Sequence, residues 1–231
     1  MSRLRVVRAA CPACGQQEEH VLFASLNGAR LPAAAADVLA GRFQLADCAG
    51  CGAEFHVEAE ALYVDMPRRL WIVHLPLAER ARWAEHERRV TELFAKEIGA
   101  HPDPQVAELH AELTPRLVFG QRRLAEALRV VELGLDARLL ECLKAVTLRD
   151  NVATLLEFGP VELVLASAEG GVLRFELIPL AASAPVAALD VPRSLLASVT
   201  ERGSEFQDRY AELFSHPWID VTRYLLAGSL T

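Results

Sequence analysis

The chain has 231 residues, 52% of them hydrophobic and 24% charged, with a formal net charge of −7. That length and balance describe one or two ordinary globular domains, long enough to bury a core. A negative field repels polyanions, so neither nucleic acid nor an anionic membrane is an expected partner.

Leu4 and Val6 alternate with polar residues, the pattern of a short strand leading into Cys11. Cys11-Pro12-Ala13-Cys14-Gly15 follows, and Cys48-Ala49-Gly50-Cys51-Gly52 repeats its form with 33 residues between Cys14 and Cys48. Four thiolates complete a tetrahedral shell, and the C-x2-C spacing lets one tight turn present two sulfurs to one ion. Pro12 presets φ in the first turn, and Gly15 and Gly52 are free to take a positive φ just past the second sulfur. The commonest ribbon spacing is roughly 15–20 residues, so this ribbon carries an insertion between its knuckles.

Glu19 to Asn27 is a second strand candidate, closed by the turn dipeptide Asn27-Gly28. Ala33 to Ala40 reads as a short helix stopped by Gly41, and this helix is the insertion. Residues 42–46 alternate again and deliver Cys48. Leu62-Tyr63-Val64 and Leu70 to Val73 flank the turn Asp65-Met66-Pro67-Arg68 as a hairpin. From Leu77 the period changes: Trp83, Val90, Phe94 and Ile98 fall at helical spacing.

A short helix between prolines is expected within 101–115, and Leu117-Val118-Phe119 is a brief apolar run. A helix over Gln121 to Leu133 ends at Gly134, and the next has Asp136 as its N-cap, with Leu139, Cys142, Leu143 and Val146 along one stripe. Two alternating runs around Glu169-Gly170-Gly171 form a hairpin. The Ala/Pro stretch 181–188 is a linker or an irregular strand, and helices follow Pro192 and run from about Ser204 to Phe214.

These readings give an α+β fold: a zinc-ribbon-like antiparallel β domain with a helical insertion over 1–76, a helical region over 77–152, and a C-terminal β-hairpin with helices over 153–231. The two knuckles, the hydrophobic hairpin after the second, and the segment 118–144 with Gly134-Leu135-Asp136, Leu139-Leu140-Glu141 and Leu143-Lys144 resemble the CpXC domain family. The likeness covers roughly the first 150 residues. It implies a metal-binding fold without an assigned reaction and carries Cys11, Cys14, Cys48 and Cys51 over as zinc ligands. The second knuckle departs from the family pattern in having Ala49 where proline is usual.

Other readings stand beside these. Paired C-x-x-C thiols also serve in redox motifs, but those sit at a helix N-terminus, whereas β-like alternation flanks both knuckles here. Four clustered cysteines among five in all fit a reducing compartment better than a disulfide framework. Residues 1–10 lack a signal-peptide apolar run, and the most apolar stretch, 177–191, is interrupted by Pro179, Pro185 and Asp190, so a cytoplasmic location and no membrane association are expected.

A closed four-thiolate shell leaves no open position for a substrate, which argues against a metallohydrolase. Cys142 on its apolar stripe reads as an inert core thiol. Asp65, His56 and His74 can be imagined as an acid–base set, although His74 sits inside an apolar strand where a core histidine is the commoner case. Trp71, Trp83 and Trp218 read as core residues before interface anchors. The functional expectation is a non-catalytic, zinc-stabilised interaction or scaffold protein, with one structural Zn²⁺ per chain and a protein partner or self-association. The alternatives are a nucleic-acid-associated zinc ribbon, or an enzyme with a structural zinc.

Overall fold

The computed structural model describes residues 2–151, 155–182 and 184–227, which fall into two compact units, Met1–Ala125 and Glu126–Thr231. The boundary expected between 152 and 153 lies outside the described residues.

In the first unit β1 (Arg3–Ala10) and β2 (Gln17–Asn27) form an antiparallel hairpin. Helix α1 (Pro32–Leu39) follows, started by a proline at its first turn, where the missing N–H costs nothing. A small hairpin of β3 (Leu45–Asp47) and β4 (Glu54–His56) stands apart as a two-stranded sheet. Next, β5 (Ala61–Asp65) and β6 (Leu70–Leu75) make the expected aromatic and β-branched hairpin. Asp65 accepts the Arg68 N–H at 3.3 Å inside its turn, and Arg69 takes a φ of 55° there.

A 3₁₀ turn then leads into α2 (Trp83–Phe94), which continues through a π-helical turn to Gly99. A short helix, α3 (Pro104–Glu108), precedes β7 (Thr114–Phe119). The main sheet runs β1-β2-β5-β6-β7. It is mixed rather than antiparallel, because β2 pairs β5 and β6 pairs β7 in parallel. Each parallel pair is joined by a long crossover, as parallel pairing requires. Every residue of β6 is buried, His74 included in an otherwise apolar run, and Phe94 of α2 meets Trp71 edge-on at 5.2 Å.

In the second unit α4 (Gln121–Glu132), whose first residues belong to the preceding unit, ends in a Schellman-type turn. The Leu135 N–H bonds Val130 O at 2.9 Å, and Gly134 sits at φ 62°. Asp136 caps α5 (Ala137–Asp150) by accepting from the N–H groups of Arg138 and Leu139 at 2.8 and 3.0 Å. The antiparallel sheet β10-β9-β8 follows, from β8 (Val161–Glu169), β9 (Val172–Pro179) and β10 (Ala187–Pro192). Thus part of the Ala/Pro stretch is an ordered edge strand, ending on a proline that an edge tolerates.

Helices α6 (Arg193–Glu201), α7 (Gly203–Arg209), α8 (Ala211–Ser215) and α9 (Thr222–Leu226) complete the described chain. The single helix expected from Ser204 is broken at Tyr210, a buried ring packed against Phe206 and Tyr224. Cys142 is fully buried among Leu140, Leu143, Leu163 and Phe175, and burial pushes its thiol up to about 12, which makes it the inert core residue expected. Trp71 and Trp218 are core residues as well.

Candidate metal centre

Each knuckle occupies the turn of a two-stranded hairpin: Cys11 and Cys14 lie between β1 and β2, Cys48 and Cys51 between β3 and β4. The two turns close with the same bonds. Cys11 N–H donates to Gln16 O at 2.8 Å and Cys48 N–H to Ala53 O at 3.0 Å, while Gly15 N–H and Gly52 N–H return to Cys11 O and Cys48 O, both at 2.8 Å. Gly15 and Gly52 have φ of 76° and 72°, and a Cβ added at either would meet nothing. Conformation alone, not space, therefore asks for glycine at both positions.

The two turns bring all four sulfurs within 4.8 Å of one another, a donor set that could hold a metal ion. Across the knuckles, Cys11 Sγ lies 3.7 Å from Cys51 Sγ and Cys14 Sγ lies 3.6 Å from Cys48 Sγ. Both separations are far beyond the ~2.05 Å of a disulfide bond. Cys11 and Cys48 face inward onto Leu22, Phe55, Val57 and Ala59, whereas Cys14 and Cys51 are open to solvent.

The four thiols bear on one another's ionisation. Desolvation opposes ionisation of Cys11, but the backbone N–H groups of Cys14 and Ala13 and the neighbouring thiols outweigh it and bring Cys11 down to about 7. Backbone N–H groups also favour the thiolate at Cys14, Cys48 and Cys51, from Gln16, Cys51 and Ala53 respectively. There the neighbouring sulfurs and desolvation win, and all three are raised. Hydrogen bonds among the four thiols thus favour the thiolate at some sulfurs and disfavour it at others.

The surroundings supply no positive charge from the adjoining sequence: residues 9–29 and 43–67 contain neither lysine nor arginine. Asp47 and Glu54, directly opposite each other in β3 and β4, flank the second knuckle with like charges. Glu18 on β2 reaches across to it. Its carboxylate accepts from the Ala49 N–H at 3.0 and 3.2 Å and from Cys48 Sγ at 3.4 Å, and the Ala49 N–H above all holds the carboxyl below its ordinary value. Ala49 rather than proline therefore has a structural consequence, since proline would offer no N–H to Glu18.

The imagined acid–base set does not assemble. Asp65 stands opposite Leu70 and His74 opposite Ala61, four residues or roughly 13 Å apart along the ladder. His56 Nδ1 lies 3.2 Å from Phe43 O instead. His74 is fully buried against the edge of Phe43, with neither ring nitrogen in hydrogen-bonding geometry. Burial pushes it down to about 4, although the nearby Ala59 backbone slightly favours the charged ring.

Among the described residues no helix is long and apolar enough to cross a membrane. No curated protein and no solved structure matches the chain. The CpXC protein family does match, over residues 9–144, a segment that holds all four clustered cysteines and more than half of the sequence. The chain belongs to the CpXC family.

Proposed function

We propose that this chain is a non-catalytic, zinc-stabilised interaction protein in which Cys11, Cys14, Cys48 and Cys51 hold one structural Zn²⁺ in a zinc-ribbon-like pair of knuckles. The observation that carries the reading is the closed set of four sulfurs. A tetrahedral shell with Zn–S bonds of ~2.3 Å has sulfur–sulfur edges of ~3.8 Å, close to the 3.6 and 3.7 Å between the knuckles. Thiolate donors in that geometry suit zinc, and four of them leave no coordination position for a substrate. The ion would cross-link two hairpins far apart in sequence, in a reducing compartment such as the cytoplasm. The acidic ground around the knuckles disfavours nucleic acid as partner.

Self-association is the interaction the surface favours. Leu4, Val6 and Val21 are 60–66% exposed on the outer hairpin, with Val6 directly opposite Val21. Strand β1 lies at the end of its sheet. An antiparallel second copy centred on Val6 would set Leu4 against Arg8 and Arg5 against Val7, so that no arginine faces an arginine. Light scattering is expected to find a dimer that the double substitution Val6→Asp/Val21→Asp turns into a monomer with unchanged metal content. A wild-type monomer at all concentrations would contradict this mode of interaction.

A further inference from the structure

Each knuckle contributes one sheltered and one solvent-open sulfur: Cys11 and Cys48 are buried, Cys14 and Cys51 exposed. Among the described residues, the sulfurs in hydrogen-bonding contact are paired between the knuckles rather than within them. Exposed Cys51 meets buried Cys11 at 3.7 Å, and exposed Cys14 meets buried Cys48 at 3.6 Å. Inside each knuckle the turn is held by its own backbone bonds, from Cys11 N–H to Gln16 O and from Cys48 N–H to Ala53 O. An accessible thiol set against a resolving thiol is what oxidation by a peroxide requires if it is to end in a disulfide. Here that arrangement occurs twice, and closing either gap to ~2.05 Å takes a movement of roughly 1.6 Å shared between two side chains. Cys142, the fifth thiol, is fully buried in the core of the second unit, out of a peroxide's reach.

We propose that the knuckles form a redox-exchangeable staple: a peroxide converts the four cysteines into two cross-knuckle disulfides, Cys11–Cys51 and Cys14–Cys48, and the hairpins stay tied as the metal leaves. The two bonds bridge positions 40 and 34 apart in sequence and so join the same hairpins that the ion joins. In each pair the exposed sulfur attacks one peroxide oxygen. The O–O bond breaks, a sulfenic acid forms, and hydroxide leaves to become water. The buried partner then attacks that sulfur, the S–O bond breaks, the S–S bond forms and a second water departs. Two sulfurs give two electrons to one peroxide, and the two protons come from the thiols, or from solvent where the sulfurs are metal-bound. Two peroxides therefore consume all four donors, which leaves a bound cation without thiolate ligands. The pairing rests on the sulfur positions, and the release of zinc rests in addition on the reading that these cysteines hold it.

The test treats the full-length, zinc-loaded protein with hydrogen peroxide in the absence of denaturant, follows released zinc with a chromogenic indicator, then alkylates free thiols and digests with trypsin. Arg30 and Arg42 lie between the knuckles, so cleavage separates residues 9–30 from 43–68 unless a disulfide joins them. One zinc is expected to leave as four thiols are lost, with Cys142 alone alkylated after unfolding. Fragmentation of the joined peptides should place the bonds at Cys11–Cys51 and Cys14–Cys48, and dithiothreitol with Zn²⁺ should restore the starting protein. Circular dichroism of the oxidised protein should match that of the zinc-loaded form, because one staple replaces the other. Cys51→Ser, which leaves Cys11 without its partner, should lose only two thiols and form Cys14–Cys48 as its main bond. Disulfides within a knuckle, bonds between separate chains, oxidation to sulfinic acid, or a Cys11–Cys14 bond in Cys51→Ser would overturn the proposal. A wild type that holds no zinc yet forms both cross-knuckle bonds would contradict the metal reading while supporting the pairing.

Discussion

A histidine out of reach of solvent is costly to protonate, and His74 is one: it is fully buried in β6, between Ala61 of β5 and Val118 of β7. Its folded-state value of about 4 lies below the ordinary 6.5. Between those values the unfolded chain takes up a proton that the folded chain does not, so stability falls as pH drops from 6.5 toward 4, by on the order of 3 kcal/mol. Above 6.5 the group contributes no pH dependence. Urea unfolding at pH 7 and pH 5 should show that His74→Leu is within about 1 kcal/mol of wild type at pH 7 and loses less stability at pH 5. An unchanged pH dependence would contradict the assignment.

Gly28 is a different case: a Cβ there would sit 2.1 Å from the Tyr63 hydroxyl, and Tyr63 is itself buried. Gly28→Ala is expected to lower stability by about 1–3 kcal/mol through overpacking, measured by urea unfolding. The cysteines were legible because their spacing alone carries the chemistry. Glu18 was not, since a lone glutamate at the start of a strand has no local signature; only the fold carries it to the Ala49 N–H.

At the scale of elements, the hairpins and amphipathic helices followed from short-range periodicity, and the Asp136 cap from residue type and place. Strand β7 was hidden in a brief apolar run because its partner β6 is far away in sequence and pairs with it in parallel. The same non-local pairing turned an expected antiparallel domain into a mixed sheet.

Helices α4 and α5 hold a further feature that pattern alone does not reveal. Lys144, fully buried, bonds Glu126 at 2.7 Å and Glu141 at 2.5 Å. The two carboxylates also accept the N–H groups of Leu165 and Val221, at 2.5 and 2.9 Å. Leu165 borders an irregularity in the β8–β9 register, and Arg129 Nη1 donates to its carbonyl at 2.7 Å. These bonds satisfy backbone groups that the ladder leaves over. Lys144→Met takes a buried cation away from two buried carboxylates and should cost about 3–5 kcal/mol in urea unfolding of the second unit. A loss below about 1 kcal/mol would show that the cluster is not stabilised as a pair of ionic contacts.

For the whole molecule, membership of the CpXC family spans the cysteine pairs and reaches into α5, while each compact unit buries its own core. The central question is whether four sulfurs, carried by two hairpins, hold one ion. The most direct measurement is the metal content of purified protein by inductively coupled plasma mass spectrometry, with free thiols counted on the same sample. One zinc per chain is expected in the wild type, and none in Cys11→Ser/Cys48→Ser, which removes the two buried sulfurs of the cluster. A folded wild type without metal, with the four knuckle thiols reactive and Cys142 alone protected, would contradict the account.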